Sequence, residues 1–191
     1  MLKVYLTMGP LMLGWIANMV FTKTKFYKKY KMPIDRGKTA WDRKPIFGPN
    51  KTWIGFFSMI VFCILFQLLC GLCCGAFGWE EYNDLYRCQP NTLSLNLIFG
   101  ALIGAVYMIC ELPNSFIKRR INIQAGKTDS GVKGTVFFVI DQLDSIVGVM
   151  LVLALFTDIG VIGYFKYVAF GGLTHIGVNL LLFALKIRRN I

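Results

Sequence analysis

Four stretches of this chain contain no Asp, Glu, Lys or Arg: residues 4–22, 52–79, 88–110 and 167–185. A helix crossing the hydrocarbon core of a bilayer needs about 20 largely apolar residues, and each stretch provides them. A fifth, residues 134–157, matches the others apart from two aspartates, Asp141 and Asp144. The pattern predicts an all-α integral membrane protein, one polytopic domain over residues 1–191, with spans at about 2–22, 53–76, 92–112, 134–157 and 161–187. Two basic loops, 23–52 and 113–133, join spans on one side, and shorter connections join them on the other. No cleavage pattern follows the first apolar stretch, because Thr22 runs directly into a lysine-rich segment. That stretch therefore reads as a retained helix rather than a signal peptide.

Charge gives the chain a direction. The formal net charge is +11. Lys23, Lys25, Lys28, Lys29, Lys31, Arg36, Lys38, Arg43, Lys44 and Lys51 fall in the first basic loop. Lys118, Arg119, Arg120, Lys127 and Lys133 fall in the second, and Lys186, Arg188 and Arg189 in the tail. The opposite connections hold Glu80, Glu81, Asp84, Arg87 and Asp158. Positive loops stay cytoplasmic, so the N-terminus is expected outside the cell membrane, with the C-terminus and both basic loops in the cytosol. A composition of 55% hydrophobic and 16% charged residues excludes a soluble domain of this length and a disordered chain. Six cysteines, at 63, 70, 73, 74, 88 and 110, have no histidine beside them and lack zinc-site spacing. They read as small apolar residues, with an outside pairing of Cys88 left open.

The two aspartates interrupt an apolar span, where a carboxylate costs about 2.5–3.5 kcal/mol even on insertion scales. Three residues apart, they are neighbours on one helical face. With the span starting near Gly134, Asp141 lies about 10 Å in from the cytosolic end. Two ionised carboxylates so close call for a cation, and Mg²⁺ takes one or two carboxylates together with waters and substrate phosphates. The plainer reading is a pair of ion bridges to lysines and arginines of the adjoining loop.

A second constellation reaches the same depth. In CELPNSFIKRR, residues 110–120, Glu111, Ser115 and Lys118 form an i, i+4, i+7 stripe, and Asn114 and Lys118 are another i, i+4 pair. Pro113 is expected to bend the helix there. Carboxylates beside Ser, Asn, Lys and Arg suit phosphate chemistry, although Arg120 is explained as well by topology alone. In the first loop, the fragment GKT suggests a Walker A phosphate loop, but that pattern requires a glycine five residues before Gly37, where Met32 stands. What remains is two Lys-Thr pairs, Lys38-Thr39 and Lys51-Thr52, each after a turn-former and each suited to a polyphosphate. Trp41 offers a face for a base, while Trp53 reads as an interfacial tryptophan.

Taken in order, PIDRGKTAWDRKPIFGPNKTWIGF (33–56), NSFIKRR (114–120), DQLDSIVG (141–148) and THIGVN (174–179) resemble the CDP-archaeol synthase family. These are CTP-dependent lipid nucleotidyltransferases related to bacterial CDP-diglyceride synthases. The resemblance covers nearly the whole chain. Two departures stand out: Cys110-Glu111 occupies a place where the family often has Gly-Asp, and Gln142 replaces the arginine of the wider Asp-Arg-x-x-Asp signature. The second points to the archaeal-type branch. The resemblance implies that CTP and a phosphatidic-acid-like lipid, ether- or ester-linked, give a CDP-lipid and pyrophosphate in phospholipid biosynthesis. It assigns Asp141, Asp144 and Glu111 to metal, with Lys118 beside them as catalytic groups. Asn114, Ser115 and Arg119 would bind phosphate, and Lys38, Thr39, Lys51 and Thr52 the triphosphate. The implied cofactor is Mg²⁺, with K⁺ as an optional second cation. The implied partners are CTP, the lipid and the membrane, without nucleic acid, and a homodimer is left open.

Two other readings compete. A small ion or solute transporter also keeps carboxylates in its spans, but its pathway carries polar groups to mid-depth, whereas spans one and three are apolar above their cytosolic ends and span four is apolar past Asp144, with Asn18 and His175 as the exceptions. An inactive membrane scaffold would have little reason to keep costly polar residues in its spans.

Overall fold

Threonines start three of the helices. Thr24, Thr52 and Thr92 sit in extended backbone, and their hydroxyls accept from the N–H groups of Tyr27, Gly55 and Leu95. Each satisfies a donor that the first helical turn leaves without a partner. The structure is a computed structural model and describes residues 2–127 and 130–184, the side chains of 182 and 183 excepted. Its helices are α1 (Leu2–Phe21), α2 (Lys25–Tyr30), α3 (Trp53–Phe77), α4 (Asp84–Cys88), α5 (Leu93–Arg120), α6 (Gly131–Phe156) and α7 (Gly160–Ala184). No strand forms among the described residues; two isolated bridges, Pro33 with Thr52 and Thr39 with Pro45, shape the first loop.

Helices α1, α3, α5 and α6 have the length and apolarity to cross a membrane. The fifth expected span, α7, has the length, at 25 residues. Its described residues are apolar apart from Lys166, Thr174, His175 and Asn179, and it is compatible with the fifth expected span. Boundaries shift. α5 continues through Pro113 to Arg120, so residues 113–120, expected in a loop, are helical. The proline removes one rung of the ladder, but the turns beyond it are held because Asn114 and Ser115 are buried and Arg119 and Arg120 bind the first loop. α6 starts at Gly131, three residues before the expected Gly134. Lys186, Arg188, Arg189 and residues 185–187 of the last expected span lie outside the described residues.

The bundle is built outward from α3, which packs against both α1 and α5; α5 then packs on α6, and α6 on α7. In lipid, helix association depends on close packing more than on hydrophobic transfer. Gly100 and Gly104 make that possible in α5. A Cβ at Gly100 would fall 2.7 Å from Ile64 Cα, and one at Gly104 would fall 2.7 Å from Ile60 Cα. The Gly-x-x-x-Gly spacing thus lets the backbones of α3 and α5 touch. Met59, Cys63, Ile103, Ile146, Val149 and Leu153 fill the core around this contact.

The end of the bundle opposite the basic loops is closed by polar contacts. Gln67 donates to Tyr86 Oη at 2.9 Å and Tyr86 Oη to Asn96 Oδ1 at 2.7 Å, while Asn96 Nδ2 donates to Asn91 Oδ1 at 2.8 Å. Asp84 pairs with Lys3 at 2.8 Å and with Arg87 at 3.2 Å, and accepts from Tyr167 Oη. The six cysteines are all free. Cys88 lies against Asp158 rather than another thiol, so no outside disulfide forms.

Candidate active site

The first basic loop, residues 31–52, leaves and rejoins the bundle at one neck. Ile34 N–H donates to Lys51 O at 2.8 Å and Trp53 N–H to Met32 O at 3.0 Å. Within the loop, Asp35 is the organiser. Its Oδ1 accepts from Gly37 N–H at 2.9 Å, and its Oδ2 accepts from Phe47 N–H at 2.9 Å and Gly48 N–H at 2.8 Å. Burial opposes the charge on Asp35, but these backbone donors outweigh it and hold the carboxyl below the usual carboxylate range. Gly48, at φ 97°, makes a turn that an L side chain rarely adopts. It also brings Phe47 O within 3.1 Å of Arg119 Nε. Arg119 donates further to Ile123 O, and Arg120 pairs with Asp42 at 3.0 Å and donates to Lys44 O at 3.1 Å. The last turn of α5 therefore ties the first loop to the second.

Between these loops and the adjoining ends of α1, α5, α6 and α7 lies a cavity of about 970 Å³. Asp141, Asp144, Glu111, Asn114, Ser115, Lys118, Arg119 and Lys51 all line it. Asn114 is the centre of the acidic corner: its Nδ2 donates to Asp141 Oδ1 at 2.6 Å and to Asp144 Oδ2 at 2.7 Å. Two carboxylate oxygens that meet at one nitrogen are close enough to share one cation. Ser145 steadies Asp144 through its N–H at 2.7 Å and its hydroxyl at 2.9 Å. Lys118 Nζ donates to both oxygens of Asp141, at 2.6 Å to Oδ1 and more closely to Oδ2. Lys51 Nζ pairs with Glu111 Oε2. At the deep end, Trp15 lies 4.2 Å from His175 between ring centroids, Tyr107 Oη approaches His175 Nε2 at 3.4 Å, and Asn179 donates to Gln142 Oε1 at 2.7 Å. A side pocket of about 160 Å³ adjoins this region, lined by Asn18, Thr22, Tyr27 and Asn50 among others.

Four of the expected groups lie apart from the Asp141–Asp144 corner. Glu111 shares the cavity but is engaged by Lys51, and among the described residues no three His, Cys, Asp or Glu side chains gather closely enough to hold one metal ion. Asp141 and Asp144 with the Asn114 amide form a corner of their own. Thr52 is buried and lines the side pocket rather than the main cavity, and its hydroxyl meets Tyr27 Oη at 2.8 Å and accepts from Gly55 N–H at 3.2 Å. Lys38 and Thr39 are exposed on a hairpin closed by the Thr39–Pro45 bridge and do not line the cavity. Trp41, which offered a face for a base, is 82% exposed at the tip of that hairpin and packs on Phe116 and Arg120. The sequence reading missed Asp35, Trp15 and Tyr107. Only Asp35 left a signal, the Asp-x-Gly of an Asx turn.

Fold and site together define a polytopic membrane protein with a mixed acidic and basic chamber at one end. The comparisons with known proteins make that class specific. The family model described as CarS-like CDP-archaeol synthase matches residues 6–190. A CDP-archaeol synthase of Archaeoglobus fulgidus is 29% identical over 160 residues, 82% of each chain. One from Pyrobaculum islandicum is 29% identical over 161 residues, 84% of this chain and 82% of the other. One from Methanoculleus marisnigri is 33% identical over 125 residues, 65% of this chain and 64% of the other. A solved structure, described as an intramembrane enzyme for archaeal membrane lipids biosynthesis, superimposes with a TM-score of 0.63 over 92% of both chains at 20% identity, which shows the shared fold. The chain belongs to the CDP-archaeol synthase family, a family of CTP-dependent lipid cytidylyltransferases, and is a multi-pass membrane nucleotidyltransferase.

Proposed function

We propose that this chain transfers a cytidylyl group from CTP to the phosphate of a phosphatidic-acid-like lipid with ether- or ester-linked chains, releasing pyrophosphate, as a step of phospholipid biosynthesis. The observation that carries the reading is the convergence of Asp141, Asp144, Asn114, Ser115, Lys118 and Lys51 on one cavity of about 970 Å³ at the end of an apolar bundle. That is the upper part of the size range of ligand sites, about 300–1,000 Å³, and it lies where a water-borne triphosphate can meet a headgroup. The cavity end accordingly faces the cytosol and the N-terminus lies outside the cell membrane.

Asp141 and Asp144 fit Mg²⁺, with K⁺ as an optional second cation. The donors are hard oxygens, and Asn114 Oδ1 is buried without a partner beside them. When bound, the ion supplies charge neutralisation at the oxygens of an in-line displacement. The chain's own groups do the rest. Lys118, Lys51 and Arg119 supply positive charge along the polyphosphate. The Ser115 hydroxyl and the Asn114 amide add hydrogen bonds, and the packed walls of α5 and α6 keep water from the reacting phosphorus. An oxygen of the lipid phosphate attacks the α-phosphorus, the bond to the bridging oxygen of the β-phosphate breaks, and pyrophosphate leaves toward the basic loops.

The test is to incubate purified protein in detergent with labelled CTP, Mg²⁺ and either ether- or ester-linked phosphatidic acid. A labelled CDP-lipid is expected, lost with EDTA and with Asp141→Asn. No product from either lipid overturns the reading, whereas an active Asp141→Asn variant removes the cation assignment and leaves the transferase.

A further inference from the structure

Lys118 consumes the carboxylate that the proposed cation needs. Its ammonium donates to both oxygens of Asp141, and its side chain is the more enclosed of the two, 14% exposed against 37%. Directly beside it are the second carboxylate, Asp144, and Asn114, whose Oδ1 is buried without a partner; Asn114 itself is 7% exposed. An ammonium on a flexible four-carbon stem is a mobile point charge, and the same cavity offers the anionic groups to which it can turn.

We propose that Lys118 is a resident counter-cation: it occupies the Asp141–Asp144–Asn114 corner against a divalent ion until a phosphate draws its ammonium away, so that cation and phosphate binding favour one another. The inference rests on reading Asp141 and Asp144 as cation ligands. Its physical content is a charge exchange. A divalent ion arriving alone meets a like charge at Asp141, and a phosphate arriving alone must take Lys118 from Asp141 and leave a carboxylate uncompensated. Arriving together, each relieves the cost of the other, and the coupling is reciprocal by linkage. Lys51 and Glu111 provide the internal control. They form the same kind of pair on the same cavity, and Glu111 acts on Asp144 electrostatically but does not share the Asn114 amide that joins Asp141 to Asp144, so freeing it should matter less.

The experiment uses the full chain in neutral detergent with Mn²⁺ as the probe, read by loss of the free-ion electron paramagnetic resonance signal, without nucleotide or lipid. Lys118→Gln is expected to bind Mn²⁺ at least about fivefold more tightly than the wild type, the lower end of ordinary coupling strengths, and Lys51→Gln to gain clearly less. Methyl phosphate, corrected for the Mn²⁺ it binds without protein, should tighten wild-type binding and leave Lys118→Gln unmoved. The proposal is overturned if Lys118→Gln binds no more tightly than wild type, if Lys51→Gln gains as much, or if methyl phosphate has no effect on the wild type. The last arm needs no variant and decides the matter if Lys118→Gln fails to fold. Absence of Mn²⁺ binding in every sample removes the cation reading of the aspartates along with this inference, whereas binding without the Lys118 effect removes the inference alone.

Discussion

Both ends of the bundle bury polar side chains, yet they do so in opposite ways. At the end away from the basic loops, Gln67, Tyr86, Asn96 and Asn91 bond directly to one another. These groups are neutral and closely packed: a Cβ at Gly71 would fall 2.4 Å from Asn96 Nδ2. At the loop end, Asp141, Asp144, Glu111, Lys118 and Lys51 are charged, and they pair across a cavity of about 970 Å³. Neutral polar groups in close contact stabilise a membrane bundle by satisfying one another, as these do apart from Gln67 Oε1, with Asp84, Lys3 and Arg87 pairing beside them. Charged groups around a space are costly to keep in lipid, and their arrangement is explained by what can enter. A count of polar residues in spans does not distinguish the two; the chamber and the charge do.

The comparison can be broken most forcefully at Asp144. Asp144→Asn is expected to lower CDP-lipid formation by roughly 10²–10³, the scale of removing one preorganised electrostatic group from an active site. Its thermal midpoint in detergent should stay level or rise, because a carboxylate has been taken out of a membrane span. A variant that melts earlier but keeps its turnover would place Asp144 with the structural polar groups instead.

Asn96 gives the mirror-image result. Asn96→Leu leaves Tyr86 Oη and Gln67 Nε2 without their shared acceptor in a buried setting, which costs about 1–3 kcal/mol. The thermal midpoint should fall, while activity per folded molecule, measured well below that midpoint, stays near wild type. Loss of activity without loss of stability would show that the far end communicates with the chamber.

How far the sequence could be read follows the same division. The spans were legible because charge-free runs of span length have no other use, and the stripe of Glu111, Ser115 and Lys118 was legible because helical periodicity puts positions 111, 115 and 118 on one face whatever surrounds them. The Asp141–Asp144 pair was legible for the same reason. Loop residues were not. Lys38-Thr39 and Lys51-Thr52 look alike in sequence, but the first pair sits on an outward hairpin and the second at the neck, where Lys51 reaches Glu111 and Thr52 caps α3. That difference is set by the path of the chain through Arg36, Gly37, Arg43 and Gly48, all at positive φ, and positive φ at arginine has no reliable sequence mark. The partner of Glu111 was hidden because it is 60 residues away in the chain.

The smallest expected effect lies in the loop that walls the chamber, and it is a matter of pH. The carboxyl of Asp35 is held below its ordinary range, about 3.9, by the N–H groups of Gly48, Phe47 and Gly37, which outweigh its burial. A group whose folded value is depressed contributes stability that is present above the unfolded value and is lost as pH falls through the folded one. Loop order should therefore be steady from neutral pH down to the ordinary carboxylate range and decline only below it. The bundle, whose core is apolar, should not follow. Amide hydrogen exchange at residues 37, 47 and 48, expressed as protection relative to the unfolded chain, reads this directly. Wild-type protection should drop below about pH 4, and Asp35→Asn should show low protection with no such step, because its amide presents an NH₂ where one of the accepting oxygens stood. The variant should shift the thermal midpoint of the bundle little, because Asp35 bonds only within the loop, while binding polyphosphate less tightly. If Asp35→Asn instead keeps full protection across the range, the loop is held by Arg119 and Arg120 alone, and the chamber wall belongs to α5 rather than to the loop's own turn.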